Sequence, residues 1–184
     1  MRWLQLLFVL CLMPLAACAP NPAKLYDITP HGPYTLGGGD VIRVIVYGDD
    51  SLSKSYKVDD SGMLSFPLVG PVRVAGLTTS EAAGAIASAL ANGFMRSPNV
   101  SAEVETYRPF FIQGAIKTGG QFPYVSGMTV RAAVSTAGGF SDTANRNRAT
   151  IYRKLGDGEM SKASVDLDSP IYPGDTIVIA ERWL

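Results

Sequence analysis

A turn that launches a strand occurs twice in this chain, and it restricts what the chain can build. Residues 34–47 read Tyr-Thr-Leu-Gly-Gly-Gly-Asp-Val-Ile-Arg-Val-Ile-Val-Tyr. Gly37, Gly38 and Gly39 accept backbone angles that a Cβ forbids. Asp40 is suited to bonding neighbouring backbone N–H groups and closing the turn. Residues 41–47 are β-branched or aromatic apart from Arg43, which suits a pleated, mostly buried strand. A shorter copy, Tyr172-Pro-Gly-Asp-Thr-Ile-Val-Ile179, returns near the end. Gly39 with Asp40, and Gly174 with Asp175, are therefore expected to be structural turns at the heads of two strands. Two unrelated turns would look alike, because turn chemistry recurs for physical reasons.

The 184 residues allow one domain or two small ones. Apolar residues make up 47% and charged residues 17%, a balance that supports a packed core and argues against disorder. Basic and acidic residues number 16 each. No polybasic tail or basic helix stands out, so a nucleic-acid partner is not expected.

The first residues carry an address. Residues 3–15 form an apolar run of 13 residues behind Arg2, interrupted by Gln5 and Pro14. A bilayer span takes about 20 apolar residues, so residues 1–17 read as a secretory signal peptide. Leu15-Ala-Ala-Cys18 resembles a bacterial lipobox. That resemblance implies acylation of Cys18, with Cys18 as the mature N-terminus. Acyl chains gain about 0.8 kcal/mol per buried CH₂, and two or more anchor stably. Ala19 stands where an inner-membrane retention signal has Asp, which implies the outer membrane. The alternative is an ordinary signal with an incidental cysteine. Cys11 leaves with the signal, so no intramolecular disulfide is expected. Residues 18–32 hold Pro20, Pro22 and Pro30 and read as an extended, lipidated tether. His31, the one histidine, lies there without a neighbouring His, Cys or acidic cluster, so no metal site is expected.

Further along, Asp49-Asp-Ser51 reads as a loop. Residues 56–58 and 63–66 flank Asp59-Asp-Ser-Gly62, a hairpin signal with Gly62 at the left-handed position. A short strand is predicted over residues 72–75. Thr78-Thr-Ser-Glu81 fits a capping box, opening a helix over about 79–92 with Ala82, Ile86 and Leu90 on one face. Residues 99–106 alternate as a half-buried strand. These elements predict an α+β fold. They also carry a resemblance. Tyr34-x-Leu-Gly-x-Gly-Asp40-Val-Ile-x-Val, Asp60-x-Gly62 with Pro67, Val74-Ala-Gly-Leu-Thr78-x-x-Glu81 and Ser97-Pro-Asn-Val100 together resemble the export domain of the Wza-type outer-membrane polysaccharide export lipoproteins, over residues 33–107.

The remaining chain, residues 108–184, reads as strands over 110–116 and 122–125 and a helix capped by Thr129 with Val130, Ala133, Val134 and Ala137 on one face. Strands over 149–153 and 163–167 flank Gly156-Asp-Gly158, and the second Gly-Asp turn follows. This is the β-grasp order. Gln113-Gly-Ala-Ile-Lys-x-Gly119, Ala137-Gly-Gly139, Arg153 and Pro173-Gly-Asp175-Thr-Ile-Val resemble the soluble-ligand-binding β-grasp domain that commonly follows the export domain. Longer family members carry further β-grasp copies and an amphipathic C-terminal membrane helix. This chain resembles the short form, which lacks that helix.

Candidates for chemistry are few. With His31 alone in the tether, Ser-His-Asp catalysis has no base. Asp49/Asp50 and Asp59/Asp60 sit in turns, where adjacent acids are solvated rather than catalytic. Arg146, Arg148 and Arg153 are candidates for contact with an acidic sugar polymer, although a solvated loop explains the first two equally well. Tyr107, Phe110 and Phe111 suit either sugar stacking or packing. No enzymatic activity and no cofactor are expected. The resemblance implies a subunit of a homo-oligomeric ring around a polysaccharide. It would be anchored to the outer membrane, face the periplasm and work with an inner-membrane polysaccharide co-polymerase. The alternative is a monomeric glycan-binding lipoprotein.

Overall fold

A computed structural model describes residues 32–155 and 158–182. The signal peptide, Cys18, His31 and nearly all of the tether lie outside the described residues, as do Gly156 and Asp157. The fold is α+β, with two helices and three sheets among the described residues.

The first half builds strands β1 (Val41–Val46), β2 (Asp49–Lys57), β3 (Met63–Phe66) and β4 (Gly70–Arg73), helix α1 (Thr79–Ala91) and strand β5 (Val100–Thr106). β1 lies between β2 and β5, antiparallel to both. Its inward residues Ile42, Val44 and Val46 are buried against Ala82, Ile86 and Leu90 of α1 in one apolar cluster. α1 begins at the expected capping box: the Glu81 N–H donates to Thr78 Oγ1 and the Thr78 N–H donates to the Glu81 carboxylate.

Two expectations for this half need correcting. Asp49, Asp50 and Ser51 open strand β2 rather than a loop. An edge strand pairs through its backbone while its polar side chains face water, so only Leu52 and Tyr56 of β2 are buried and no two-residue alternation marks it. The turn at residues 59–62 does reverse the chain, with Gly62 at φ +81° and the Asp59 N–H donating to the Met63 carbonyl. Its arms then part after one bridge, Val58 to Leu64. The strand before it pairs with β1, and β3 pairs with β4, which starts at Gly70 rather than residue 72.

The second half builds β6 (Phe110–Gly114), β7 (Gly120–Phe122), helix α2 (Val130–Thr136), β8 (Arg148–Lys154), β9 (Met160–Asp166) and β10 (Thr176–Ile179). The sheet order is β7-β6-β10-β8-β9. Its first and last strands, β6 and β10, lie side by side and parallel at the centre, the β-grasp arrangement. Such a parallel pair needs a long crossover, here supplied by α2 and the β8–β9 hairpin. Val130, Ala133 and Val134 of α2 pack with Phe110, Ile112, Ile151 and Ile177 of the sheet in a second, separate core. β7 ends at Phe122, where the sequence reading began it.

Candidate functional site

The two Gly-Asp turns have the same construction and come together where the halves meet. In the first, the Asp40 N–H donates to the Gly37 carbonyl at 3.2 Å, and the Gly37 N–H donates to Asp40 Oδ2 at 2.8 Å. In the second, the Asp175 N–H donates to the Tyr172 carbonyl at 3.1 Å, and the Tyr172 N–H donates to Asp175 Oδ2 at 2.8 Å. Gly39 and Gly174 occupy the matching position at φ +94° and +87°, a region that favours glycine.

Each aspartate also holds an arginine. Among the described residues the buried polar side chains are Asp40, Asp175 and Arg153, so the buried charge of both halves is concentrated at these turns. Arg153 grips Asp175 with two bonds, Nε to Oδ1 at 2.7 Å and Nη2 to Oδ2 at 2.6 Å. Its guanidinium lies 4.4 Å from the centre of the Tyr172 ring. Arg108 donates from its backbone N–H to Asp40 Oδ1 at 2.7 Å and from Nη1 to Oδ2 at 3.0 Å. Its guanidinium lies over the Tyr34 ring at 5.4 Å. One arginine, paired with the turn's aspartate and lying over a tyrosine ring, thus backs each turn.

Arg108 joins the turns. Its Nε donates to the Pro173 carbonyl at 3.1 Å. The side chain passes so close to both turns that a Cβ on Gly37 would run into Arg108 Nη1, and one on Gly174 would sit 3.0 Å from Arg108 Nε. Gly174 serves the turn geometry at φ +87°, and both glycines leave room for the arginine side chain. A run of edge-to-face rings crosses the same junction: Tyr34 to Tyr107 at 5.0 Å, then Tyr107 to Tyr124 at 5.4 Å. Beside it opens a cavity of about 530 Å³, lined by residues of both halves.

Tyr34 donates its phenol proton to Asp40 Oδ2 at 2.6 Å. Burial, then this bond to a carboxylate, pushes its pKa far above the ordinary tyrosine value of 10.0. The folded chain therefore favours the neutral phenol. That contribution to stability is complete below the unfolded value and is lost as pH rises towards the folded one. In an alkaline titration followed by phenolate absorbance, Tyr34→Phe is expected to remove one late-ionising phenol. Loss of an early-ionising phenol instead would contradict this placement.

The structure separates the three candidate polymer-contact arginines. Arg146 and Arg148 are exposed. Arg146 lies 5.9 Å from the Phe140 ring centre, and Arg148 stands opposite Asp166 in the β8–β9 register. Arg153 is buried and its charge is paired with Asp175, so it supports the second turn from a place beside the cavity. Phe110 is a core residue, Tyr107 belongs to the ring run at the junction, and Phe111 is exposed. Arg108 was missed by sequence reasoning. Its one local signal is its place between the β5 strand and Pro109. Among the described residues no group of His, Cys, Asp and Glu is arranged to hold a metal ion.

Comparison with known proteins agrees with this two-part architecture. Residues 29–105 match the polysaccharide biosynthesis/export protein family, and residues 109–162 match the SLBB domain. The exopolysaccharide production protein ExoF of Rhizobium meliloti is 34% identical over 152 residues, covering 76% of this chain and 36% of that protein. The EPS I polysaccharide export outer membrane protein EpsA of Ralstonia solanacearum is 28% identical over 141 residues, covering 62% of this chain and 37% of that protein. The polysialic acid transport protein KpsD of Escherichia coli is 24% identical over 164 residues, covering 81% of this chain and 28% of that protein. This chain spans about a third of the length of these relatives. With an export domain over residues 29–105 followed by an SLBB domain over residues 109–162, the chain belongs to the Wza-type polysaccharide biosynthesis/export family.

Proposed function

We propose that this chain is a periplasm-facing subunit of an oligomeric polysaccharide export channel, held at the outer membrane by acyl chains on Cys18. Residues 33–107 and 108–184 are its two working units. A homo-oligomeric ring surrounds the polymer and receives it from an inner-membrane polysaccharide co-polymerase. The observation that carries this reading is the ordered pair of export and SLBB domains, joined through Arg108. The relatives' names, which speak of exopolysaccharide production, polysaccharide export and polysialic acid transport, support the same reading. A conduit has to touch its cargo weakly and at many points, and no bond is made or broken. No described helix is long and apolar enough to cross a membrane, which leaves crossing by strands untouched.

Two measurements test this. The lipidated chain, purified in detergent, is expected to show a multi-subunit mass; a monomer at every concentration would favour a solitary glycan-binding lipoprotein instead. A Cys18→Ala strain is expected to retain polymer inside the cell, and normal surface polymer in that strain would count against the anchored conduit.

A further inference from the structure

The cavity between the halves is a candidate binding site in its own right. Its volume of about 530 Å³ falls within the roughly 300–1,000 Å³ of small-molecule pockets. Gly37, Gly38 and Gly62 form part of its wall, and a Cβ on Gly62 would collide with that of Ala75.

The charges on its wall do not all cancel. Arg108 and Arg153 are neutralised by Asp40 and Asp175. Arg73, at the end of β4, and Lys154, at the end of β8, approach the cavity from different halves. Both are exposed, and neither has an ion-pair partner among the described residues. Among the described residues of the lining, one acid lacks such a partner, Asp60. Two cations against one carboxylate leave a positive site with an acceptor on its rim. Arg108 adds a donor, because its Nη2 has no protein partner among the described residues and its side chain is 27% exposed.

We propose that this cleft binds one uronic-acid unit of a saccharide chain. The sugar carboxylate lies between Arg73 and Lys154, and sugar hydroxyls donate to Asp60. Both cations are solvent-exposed, so the contact is weak and screened by salt. Weak contact suits a chain that has to move on. The choice of a saccharide rests on the export function proposed above; the need for an anion rests on the charges of the cleft alone.

The test uses the full chain in detergent and titrates three probes: a tetrasaccharide of galacturonic acid, maltotetraose and inorganic phosphate. The galacturonate tetrasaccharide is expected to bind, and Arg73→Gln and Lys154→Gln are each expected to weaken it roughly five- to tenfold. Arg43→Gln, an exposed change on β1 outside the cleft lining, is expected to leave affinity unchanged. Maltotetraose binding equally well, phosphate binding more tightly, or unaltered affinity in both cleft variants would overturn the site. A deletion strain separates this from the export reading. If deletion stops export while the cleft variants bind normally, the site is wrong and the export function stands. If deletion leaves export intact, the export function falls whatever the titration shows.

Discussion

Replacing Asp175 by alanine is expected to destabilise the chain by about 3–5 kcal/mol, the usual cost of leaving one partner of a buried ion pair without the other. Asp175 has no exposed surface, and it accepts both Arg153 bonds and the Tyr172 N–H. Alanine removes all three acceptor contacts and leaves a nearly buried guanidinium facing a turn that has lost its clasp. For a chain of this size the melting midpoint is expected to fall by on the order of 10 °C. Asp175→Asn keeps one acceptor oxygen and is expected to lose less. The double variant Arg153→Met/Asp175→Asn is expected to recover part of the loss, because no uncompensated charge then remains inside. Chemical denaturation of the four chains checks this. A loss below about 1 kcal/mol for Asp175→Ala would show that the pair contributes little to the β-grasp half.

Arg108→Ala is expected to cost about 2–3 kcal/mol, the scale of lost hydrogen bonds to charged groups, and to uncouple the two halves. Asp40 keeps donors from Tyr34, Gly37 and the backbone N–H of residue 108. The first turn should therefore survive. What disappears is the bond to the Pro173 carbonyl and the packing of the arginine stem between Gly37 and Gly174. Each half has its own apolar core, so either can hold together without the other. Calorimetry is expected to show one transition in the native chain and two in the variant, with protease cutting near residues 107–109. A single shifted transition would mean that the ring run through Tyr107 suffices to couple the halves.

Much of the fold could be read along the chain because its signals are local. The capping box at Thr78 and Glu81, the buried face of Ala82, Ile86 and Leu90, and the alternation of residues 99–106 all work over a few residues of backbone. Strand β2 could not be read that way. Asp49-Asp-Ser-Leu-Ser-Lys is polar, and its extended form comes from the partner β1 rather than from its own side chains. The hairpin at Gly62 extends for only one bridge for the same reason. A turn fixes a change of direction, but the strands that pair beyond it depend on which neighbours compete for their backbone groups.

The candidate site divides along the same line. Gly39 with Asp40, and Gly174 with Asp175, announce their turns because a left-handed glycine followed by an aspartate is a short-range device. Their arginines do not. Arg108 lies 68 residues from Asp40, and Arg153 lies 22 from Asp175. Nothing in the spacing selects Arg153 as a buried partner and leaves Arg146 and Arg148 exposed. Burial is what makes the choice: a carboxylate removed from water must be met by a cation and hydrogen-bond donors, and which arginine can reach it is settled once both halves have packed. The amino-acid order therefore dictates where the chain turns and which faces are apolar. The assembled fold dictates which charges pair and that one arginine clasps both turns. It also leaves Arg73 and Lys154 on the wall of a cavity neither half forms alone.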